Sequence, residues 1–305
     1  MTSPNDVKVA VVLSSYNGSK YLRQQIDSIL NQKIPQGCSI ELFIRDDGSS
    51  DQTPELLAEY RDRPDVHLWL KRNIGVVESF LTLIGFVGDD YDYISLSDQD
   101  DVWHPDKIGR ALEKLYDVPQ DVPALYASEY IFCDEHLRRT GVSRLNKTGV
   151  DFSKMMFENV VSGNTVVINR RLANLVKRGG SDRVYCHDWW IALLAAATGV
   201  LIYDDYPCLD YRRTGSNASA TGSGTVQILK NRIKRFISGD ELKLISRQLE
   251  KLRDEFDDCL LPEVRHELKL MTGGGHVCKA LYAKRLRQTI PSELLVRLML
   301  MIGAL

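Results

Sequence analysis

The sequence predicts an α/β fold, in which a mostly parallel central sheet is flanked by helices and followed by a helical C-terminal extension. In the first half of the chain, short β-branched apolar runs alternate with amphipathic segments, as in a parallel sheet covered by helices. After residue 225 the pattern is that of amphipathic, basic helices, broken at Pro262, at residues 273–275 (GGG) and at Pro291.

Strands and helices are expected to alternate along the first half. Four short, β-branched apolar runs predict buried strands at residues 7–13, 40–45, 66–70 and 93–97. Helices are expected at residues 20–32, from Thr53, at residues 76–87 and from Pro105. In the first of these helices, Leu22, Ile26 and Ile29 fall on one face. The second half is expected to add strands at 124–128, 165–169 and 200–203, and a buried helix at 188–198.

The charge distribution argues against nucleic acid as a partner and divides the chain in two. The chain has 39 Lys and Arg against 41 Asp and Glu, a net charge of -2. Residues 226–305 carry 15 basic and 10 acidic residues, which leaves 24 and 31 for residues 1–225. The small polar residues at 215–224 are expected to form a flexible segment. We therefore predict a larger domain at 1–225 and a basic amphipathic helical region at 226–305.

No feature of the sequence predicts export or a membrane span. The first residues lack the apolar core of a signal peptide, and no run of about 18 apolar residues occurs. The six cysteines are scattered without a C-x-x-C pair, which favours free thiols over a disulfide framework or a zinc site. A cytoplasmic location is therefore expected.

Polar clusters follow three of the predicted strands, at residues 14–18, 46–51 and 97–101. In an α/β sheet, ligands bind beyond the carboxyl ends of the strands. Carboxylates that converge there would repel each other unless a cation or a bound group compensates them. Oxygen ligands of this kind select Mg²⁺ or Mn²⁺, which also bind phosphate oxygens. One cluster alone could be a turn with a helix cap or a solvated loop, but their joint occurrence favours a metal site.

The order of these motifs carries a family resemblance. Ser15-Tyr16-Asn17 is followed by residues 46–51 (DDGSSD), 72–75 (RNIG) and 98–103 (DQDDVW). Over residues 5–217 the chain resembles the family 2 inverting glycosyltransferases, which have the GT-A (Rossmann-like) fold. Within that family it looks most like bacterial transferases of lipopolysaccharide and capsule assembly, many of them rhamnosyltransferases.

The resemblance implies that residues 1–225 form a catalytic domain that transfers a sugar to a saccharide acceptor with the help of a divalent metal. The first choice of donor is dTDP-L-rhamnose; a UDP-sugar carrying glucose, galactose or N-acetylglucosamine is the alternative. A non-catalytic nucleotide-sugar binding protein would need Tyr16 and Asp47 but neither Asp100 nor Asp188. A phosphoryl-transfer enzyme is disfavoured because no G-x-x-x-x-G-K-[ST] loop is present.

The resemblance also implies which residues bind the nucleotide. Tyr16, flanked by Ser15 and Asn17, would stack on the pyrimidine base. Asp47 would accept a hydrogen bond from the ring N–H of that base. Arg72 would approach the base or the phosphates.

The D-x-D motif would hold the metal, with Asp98 facing the ribose or the metal and Asp100 as its main ligand. The cation would neutralise the departing nucleotide. The family often has a Tyr-Arg-x-His-x-x-Asn motif after the last strand, but this chain has Thr214 where the histidine is expected. Water could complete the metal site instead, or Arg212 and Arg213 could hold the diphosphate by charge. Residues 215–224 would then be a lid ordered by the donor, or only a linker.

The second half is expected to supply the base. His187-Asp188 resembles an E-D or H-D element of the family, in which Asp188 would remove the proton of the acceptor hydroxyl. An ionised carboxylate within hydrogen-bond reach suits inversion by direct displacement. The same aspartate could also cap the helix that follows, and both roles are compatible.

The candidates for contact with the donor or acceptor sugar are Trp103, Gly163, Asn164, His187, Trp189 and Arg212. Gly163, before Asn164, could let the backbone approach the donor sugar, although a tight turn before the strand explains it equally well. Trp103 and Trp189 are either sugar-stacking platforms or core residues. These assignments depend on the three-dimensional arrangement of loops, which the sequence does not define.

The C-terminal region has two basic clusters, which are Lys230, Arg232, Lys234 and Arg235, and Lys279, Lys284, Arg285 and Arg287. Interleaved with apolar residues, they are typical of helices on an anionic membrane surface, where a lipid-linked acceptor would be found. The alternative is a helical subdomain that packs on the catalytic domain or on a second subunit. The sequence leaves the oligomeric state open.

Overall fold

A computed structural model describes residues 7–214 and 240–303. In this part of the chain, nine strands form one sheet. The strands are Val7–Ser15 (β1), Cys38–Asp47 (β2), Val66–Lys71 (β3), Tyr93–Ser97 (β4), Val102–Trp103 (β5), Ala124–Cys133 (β6), Arg139–Val142 (β7), Val167–Asn169 (β8) and Val200–Arg212 (β9). Their order across the sheet is β3-β2-β1-β4-β8-β6-β9-β5, and β7 pairs with β6.

Helices cover both faces of the sheet and form the C-terminal region. The α-helices of the described residues are Leu22–Leu30 (α1), Thr53–Ala58 (α2), Val76–Phe86 (α3), Lys107–Leu115 (α4), Phe152–Met155 (α5), Arg170–Gly179 (α6), His187–Thr198 (α7), Asp240–Phe256 (α8), Pro262–Gly273 (α9), His276–Ala280 (α10) and Ile290–Met301 (α11). A short 3₁₀ turn, Gly163–Thr165, precedes β8.

The first half of the sheet is parallel, as predicted. Strand β1 pairs in parallel with β2 and β4, and β2 pairs in parallel with β3. The run from Val9 to Leu13 is fully buried because helices cover both faces of the strand. The predicted strands and helices of this half are all present, with ends that differ by a few residues.

The second half of the sheet is mixed. Strand β8 runs antiparallel to β4 and β6, whereas β9 runs parallel to β6 and antiparallel to the short β5. Elements β5, β7, α5 and α6 are not among those predicted from the sequence. Strand β5 and helix α5 are very short, and β7 is exposed along its whole length, so none of these three has a strong periodic signal. Helix α6 is different, because it is clearly amphipathic and buries Leu172, Leu175 and Val176 on one face; this signal was present in the sequence.

The C-terminal helices pack their apolar faces on the rest of the molecule. Leu249, Leu268 and Leu300 are buried in the same apolar cluster as α7. The Phe256 ring packs edge-on against Trp190, with 5.7 Å between ring centroids. The described part of the tail therefore shares a core with the sheet-covering helices.

Several sequence-based predictions fall on residues outside the described ranges. They are the flexible segment 215–224, the boundary at 225/226 and the cluster Lys230, Arg232, Lys234 and Arg235. The division into two domains stays a prediction. Within residues 7–214 and 240–303, no helix is both long and apolar enough to cross a bilayer.

Candidate active site

The carboxyl ends of the four parallel strands bring the predicted motifs to one edge of the sheet. Ser15 lies opposite Asp46 in the pairing of β1 with β2, and Asp47 lies opposite Lys71 in the pairing of β2 with β3. Leu13 lies opposite Ser97, so the D-x-D segment leaves β4 beside the end of β1. The three polar clusters are therefore neighbours.

The loop after β1 is held by the side chain of Gln99, the middle residue of the D-x-D motif. Its Oε1 accepts hydrogen bonds from the Ser15 hydroxyl and the Tyr16 N–H, both at 2.9 Å, and its Nε2 donates to the Tyr16 carbonyl at 3.1 Å. Gly18 lies so close that an added Cβ would be 2.2 Å from Gln99 Oε1. Gln99 thus connects the loop that carries Tyr16, the candidate for stacking on the base, to the loop that carries Asp98 and Asp100, the candidate metal ligands.

Tyr16 is half exposed at this edge, as a stacking platform requires. Asn17 has a left-handed backbone with φ 49°, and its Oδ1 accepts a hydrogen bond from the Ser50 N–H at 2.8 Å. Ser15 is fully buried. Of the three residues in this motif, Tyr16 alone presents a large side chain to solvent.

The Asp47 carboxylate is buried and bonded to the protein, and its expected contact with the base stays a prediction. Its Oδ1 accepts hydrogen bonds from the Ile74 N–H, at 2.8 Å, and from the Arg45 guanidinium, and its Oδ2 accepts from the Gly75 N–H at 2.9 Å. Only 4% of the side chain is exposed. Asp47 thereby holds the segment after β3, because it accepts two backbone N–H groups of that segment.

Arg72 lies in the segment that Asp47 fixes. Its carbonyl oxygen accepts a hydrogen bond from Arg45 Nη2 at 2.9 Å, while the residue itself is exposed. The backbone of Arg72 is therefore tied to the sheet edge, and its side chain lies on the surface beside the cleft.

Asp98, Asp100 and Asp188 act on one another electrostatically. Burial, together with the charges of Asp100 and Asp188, raises the pKa of Asp98 to about 7. Burial also raises the pKa of Asp100, against the opposing effect of the Arg212 charge. Carboxylates from the end of β4 and the start of α7 thus share one poorly solvated region.

Asp101 is a central residue of this region that the sequence analysis did not single out. It is fully buried, its Oδ2 accepts a hydrogen bond from Asn164 Nδ2 at 2.5 Å, and its Oδ1 accepts from the Arg212 N–H at 3.3 Å. Burial raises its pKa well above the usual range, and the Asp98 and Asp100 charges add to the shift. The sequence signal for its role is its position as the third carboxylate of the DQDD run at residues 98–101.

Asp188 is half-buried in the first turn of α7 and is held by three donors. Its Oδ1 accepts from Cys186 Sγ at 2.9 Å and from the Trp189 N–H at 2.6 Å. Its Oδ2 accepts from the Gly163 N–H at 3.2 Å. The helix dipole adds to the stabilisation of a negative charge at this position.

Gly163 faces Asp188 and His187, and this position explains why a glycine stands there. An added Cβ would lie 3.2 Å from Asp188 Cβ and 3.2 Å from His187 Nε2.

We expect Gly163→Ala to displace the Asp188 carboxylate and to lower kcat by about tenfold, while donor affinity stays unchanged. Steady-state kinetics with donor titration checks this, with Gly149→Ala as a strained glycine remote from Asp188. Equal kcat values for Gly163→Ala and wild type would contradict it.

Four of the predicted sugar-contacting residues are buried instead. His187 stacks on Phe80 with 4.2 Å between ring centroids, and burial lowers its pKa. Trp189 donates from Nε1 to the Met155 carbonyl oxygen at 2.6 Å, and Trp103 lies under Lys107, whose Nζ is 3.4 Å from the ring centroid. Asn164, which bonds to Asp101, is also fully buried. Both tryptophans are core residues, and the sugar contacts expected of the buried His187 and Asn164 stay predictions.

Arg212 supports the D-x-D loop rather than facing open solvent. The residue is buried, and its guanidinium donates to the carbonyl oxygens of Asp100 and Glu135 and to Gln24 Oε1 at 2.6–2.9 Å. It also stacks over the Tyr21 ring at 4.4 Å. Arg212 therefore uses one N–H donor on each of its three nitrogens within the protein, and its expected contact with the donor stays a prediction.

Asp98 and Asp100 fit a divalent metal whose remaining ligands are waters and substrate phosphates. Within residues 7–214 and 240–303, no three His, Cys, Asp or Glu side chains are arranged to hold a metal by themselves. Mg²⁺ and Mn²⁺ often bind through only one or two carboxylates together with waters and substrate phosphates. Two half-buried carboxylates that repel each other at a strand end have the charge and the oxygen donors for such a site.

The fold and the site define an α/β protein that would bind an anionic ligand at the carboxyl ends of its parallel strands. The family model of glycosyl transferase family 2 matches residues 10–174, which is more than half of the chain. The chain therefore belongs to glycosyl transferase family 2, and it is a glycosyltransferase.

A curated relative and two solved structures show what the chain is similar to. The dTDP-rhamnosyl transferase RfbG of Shigella flexneri is 29% identical over 218 residues, which cover 67% of this chain and 72% of the relative. S. aureus TarS 1-349 in complex with UDP-GlcNAc has a TM-score of 0.58 at 12% identity, covering 98% of this chain and 81% of that chain. The mannosyltransferase PcManGT of Pyrobaculum calidifontis, in complex with GDP-Man and Mn²⁺, has a TM-score of 0.50 at 17% identity, covering 98% and 89%. These structures confirm the GT-A fold.

Proposed function

We propose that the protein is an inverting glycosyltransferase that transfers a sugar from a nucleotide diphosphate donor to a saccharide acceptor, with Asp188 as general base. The observation that carries this proposal is the position of Asp188, half-buried and oriented by Gly163 and Cys186 in the same region as Asp98 and Asp100. A protein that only bound nucleotide sugars would have no use for an oriented carboxylate at this place.

In this proposal, Tyr16 stacks on the base and Arg72 approaches the nucleotide from the exposed side. Asp100 and Asp98 hold a divalent cation, which supplies charge neutralisation for the departing diphosphate when bound. Asp188 accepts the proton of the acceptor hydroxyl as the oxygen attacks the anomeric carbon. The bond from that carbon to the diphosphate oxygen breaks, and the nucleotide leaves with the electron pair. The sugar configuration inverts.

The donor that we propose is dTDP-L-rhamnose. The support is the similarity to the dTDP-rhamnosyl transferase RfbG, which extends over 67% of this chain. A UDP-sugar is the alternative, because the similar fold of TarS binds UDP-GlcNAc. We propose a saccharide acceptor in cell-surface polysaccharide or lipopolysaccharide assembly, free or lipid-linked, and action at the cytoplasmic face of the inner membrane.

Thermal unfolding in the presence of candidate donors tests whether dTDP-L-rhamnose or a UDP-sugar is the donor. We expect dTDP-L-rhamnose with Mn²⁺ or Mg²⁺ to raise Tm more than UDP-glucose, UDP-galactose or UDP-N-acetylglucosamine at the same concentration, because ligands that bind the folded state stabilise it. dTDP alone and metal alone are the controls. A larger rise in Tm with any UDP-sugar would make that UDP-sugar the better candidate for the donor. No change in Tm with any nucleotide or nucleotide sugar would contradict the proposed nucleotide-sugar-dependent transfer.

A further inference from the structure

Helix α11 has an exposed apolar face that is separate from the active site. Its exposed side chains are Ile290, Leu294 and Leu298, at 67%, 63% and 58%, followed by Met301 and Ile302 beyond them. The opposite face, with Val296 and Leu300, is buried in the core. A helix that is apolar on both sides is expected to be covered on both sides.

The neighbouring helix α10 extends the face. Val277 is 56% exposed, and Leu281, directly after α10, is 70% exposed. Helices α10 and α11 contact each other, and Arg297 on α11 donates to the carbonyl oxygen of Ala280, the last residue of α10, at 2.7 Å. At 1.5 Å per residue, the stripe on α11 alone is about 18 Å long. Contiguous exposed apolar surfaces of this kind mark sites of interaction with another protein or with a membrane.

The charges beside this face are positive. Residues 276–303 contain five Lys and Arg and one acidic residue, Glu293, which is buried and bonds to Arg297 at 2.7 Å. Lys284 keeps 57% of its side chain exposed although it pairs with the buried Glu267. Asp151, whose charge acts on Lys284, is already paired with Lys154.

Two members of the predicted basic cluster do not contribute to this surface. Lys279 is buried, and so is Arg287, whose guanidinium bonds to the Phe157 carbonyl oxygen. The expectation that all four residues of this cluster face a membrane is therefore wrong for these two. Lys284 and Arg285 remain at the surface, Arg285 in part.

We propose that the face formed by Val277, Leu281, Ile290, Leu294 and Leu298 docks on an anionic bilayer, with α11 lying in the plane of the interface. Apolar side chains that enter the acyl boundary, next to basic side chains that meet anionic headgroups, are the two features of such interfacial helices. A second copy of the chain is a poorer occupant, because residues 276–303 expose Lys284 and part of Arg285 but no carboxylate that could pair with them across a contact between two copies of this segment. This inference does not depend on the identity of the donor.

Co-sedimentation of the full chain with vesicles tests the docking surface. We expect the wild-type protein to bind vesicles of phosphatidylcholine and phosphatidylglycerol, and to bind pure phosphatidylcholine vesicles much more weakly. Leu294→Glu should reduce the partition coefficient for the anionic vesicles by at least about tenfold. Tyr116→Glu is the matched control, because Tyr116 is 82% exposed on α4's C-terminal side, and it should bind like wild type.

Three results would overturn the proposal. The first is equal vesicle binding by the wild type and Leu294→Glu, or none by either. The second is a wild-type dimer in light scattering that Leu294→Glu converts to a monomer, which would assign the face to a second copy. The third is a Tm for Leu294→Glu, without vesicles, that lies well below that of Tyr116→Glu, which would show that the chain itself covers the face.

Discussion

Asp188→Asn is expected to lower kcat by about 10³-fold while donor affinity stays within about twofold of wild type. General-base catalysis by a positioned side chain contributes roughly 10²–10⁴-fold, and an amide cannot accept the acceptor proton at neutral pH. The asparagine carbonyl can still accept the Gly163 N–H, so the local fold has no reason to change. Single-turnover kinetics at saturating donor and acceptor measures the effect without the contribution of product release.

Asp182→Asn provides the matched control for this change. Asp182 precedes α7 and keeps 82% of its side chain exposed, and the substitution there removes the same charge without reaching Asp188. Its kcat should equal that of the wild type. If Asp188→Asn turns over at the wild-type rate, Asp188 is not the base; if the wild type itself binds the donor without turnover for any acceptor, a binding protein becomes the better description.

Asp100→Asn is expected to weaken donor binding in Mn²⁺ by about tenfold or more, and to have the opposite or no effect in EDTA. The two directions differ because one carboxylate both holds the cation and repels the donor diphosphate. Removing it costs a metal ligand when the cation is present. When the cation is absent, the change removes only a like charge from beside the diphosphate.

Calorimetric titration of the donor into both proteins, with Mn²⁺ and with EDTA, measures the two affinities. Asp106→Asn is the control, since Asp106 is exposed just before α4 and its carboxylate pairs with the Tyr206 hydroxyl. It should leave both affinities unchanged. A loss of affinity for Asp100→Asn that is equal in Mn²⁺ and in EDTA would show that Asp100 contacts the nucleotide or supports the fold, and that it does not act through a cation.

The sequence predicts the parallel half of the sheet well for a physical reason. Strands buried on both faces are continuous apolar runs, and their polar carboxyl ends stand out against them. The second half is harder to predict because β8 has three residues, β5 has two, and their partners are remote in sequence. Mixed pairing of such short strands is determined by tertiary contacts that no local pattern contains.

The candidate site, too, is predicted from the sequence only in part. Sequence position indicates that Asp98, Asp100 and Asp188 lie at the ends or starts of elements, but it does not indicate which polar side chains are used up inside the protein. Asp47 bonds to amides 27 and 28 residues away, and the Arg212 N–H bonds to a carboxylate 111 residues away. No local pattern in the sequence contains such long-range partners.

The most direct test of the whole account is the anomalous diffraction of Mn²⁺ in crystals grown with dTDP or UDP. We expect one manganese peak beside Asp100 and Asp98, in contact with the diphosphate, with Tyr16 against the base and with Asp188 facing the space reserved for the sugar and the acceptor. A nucleotide bound elsewhere on the molecule, or a manganese peak remote from both D-x-D carboxylates, would contradict it.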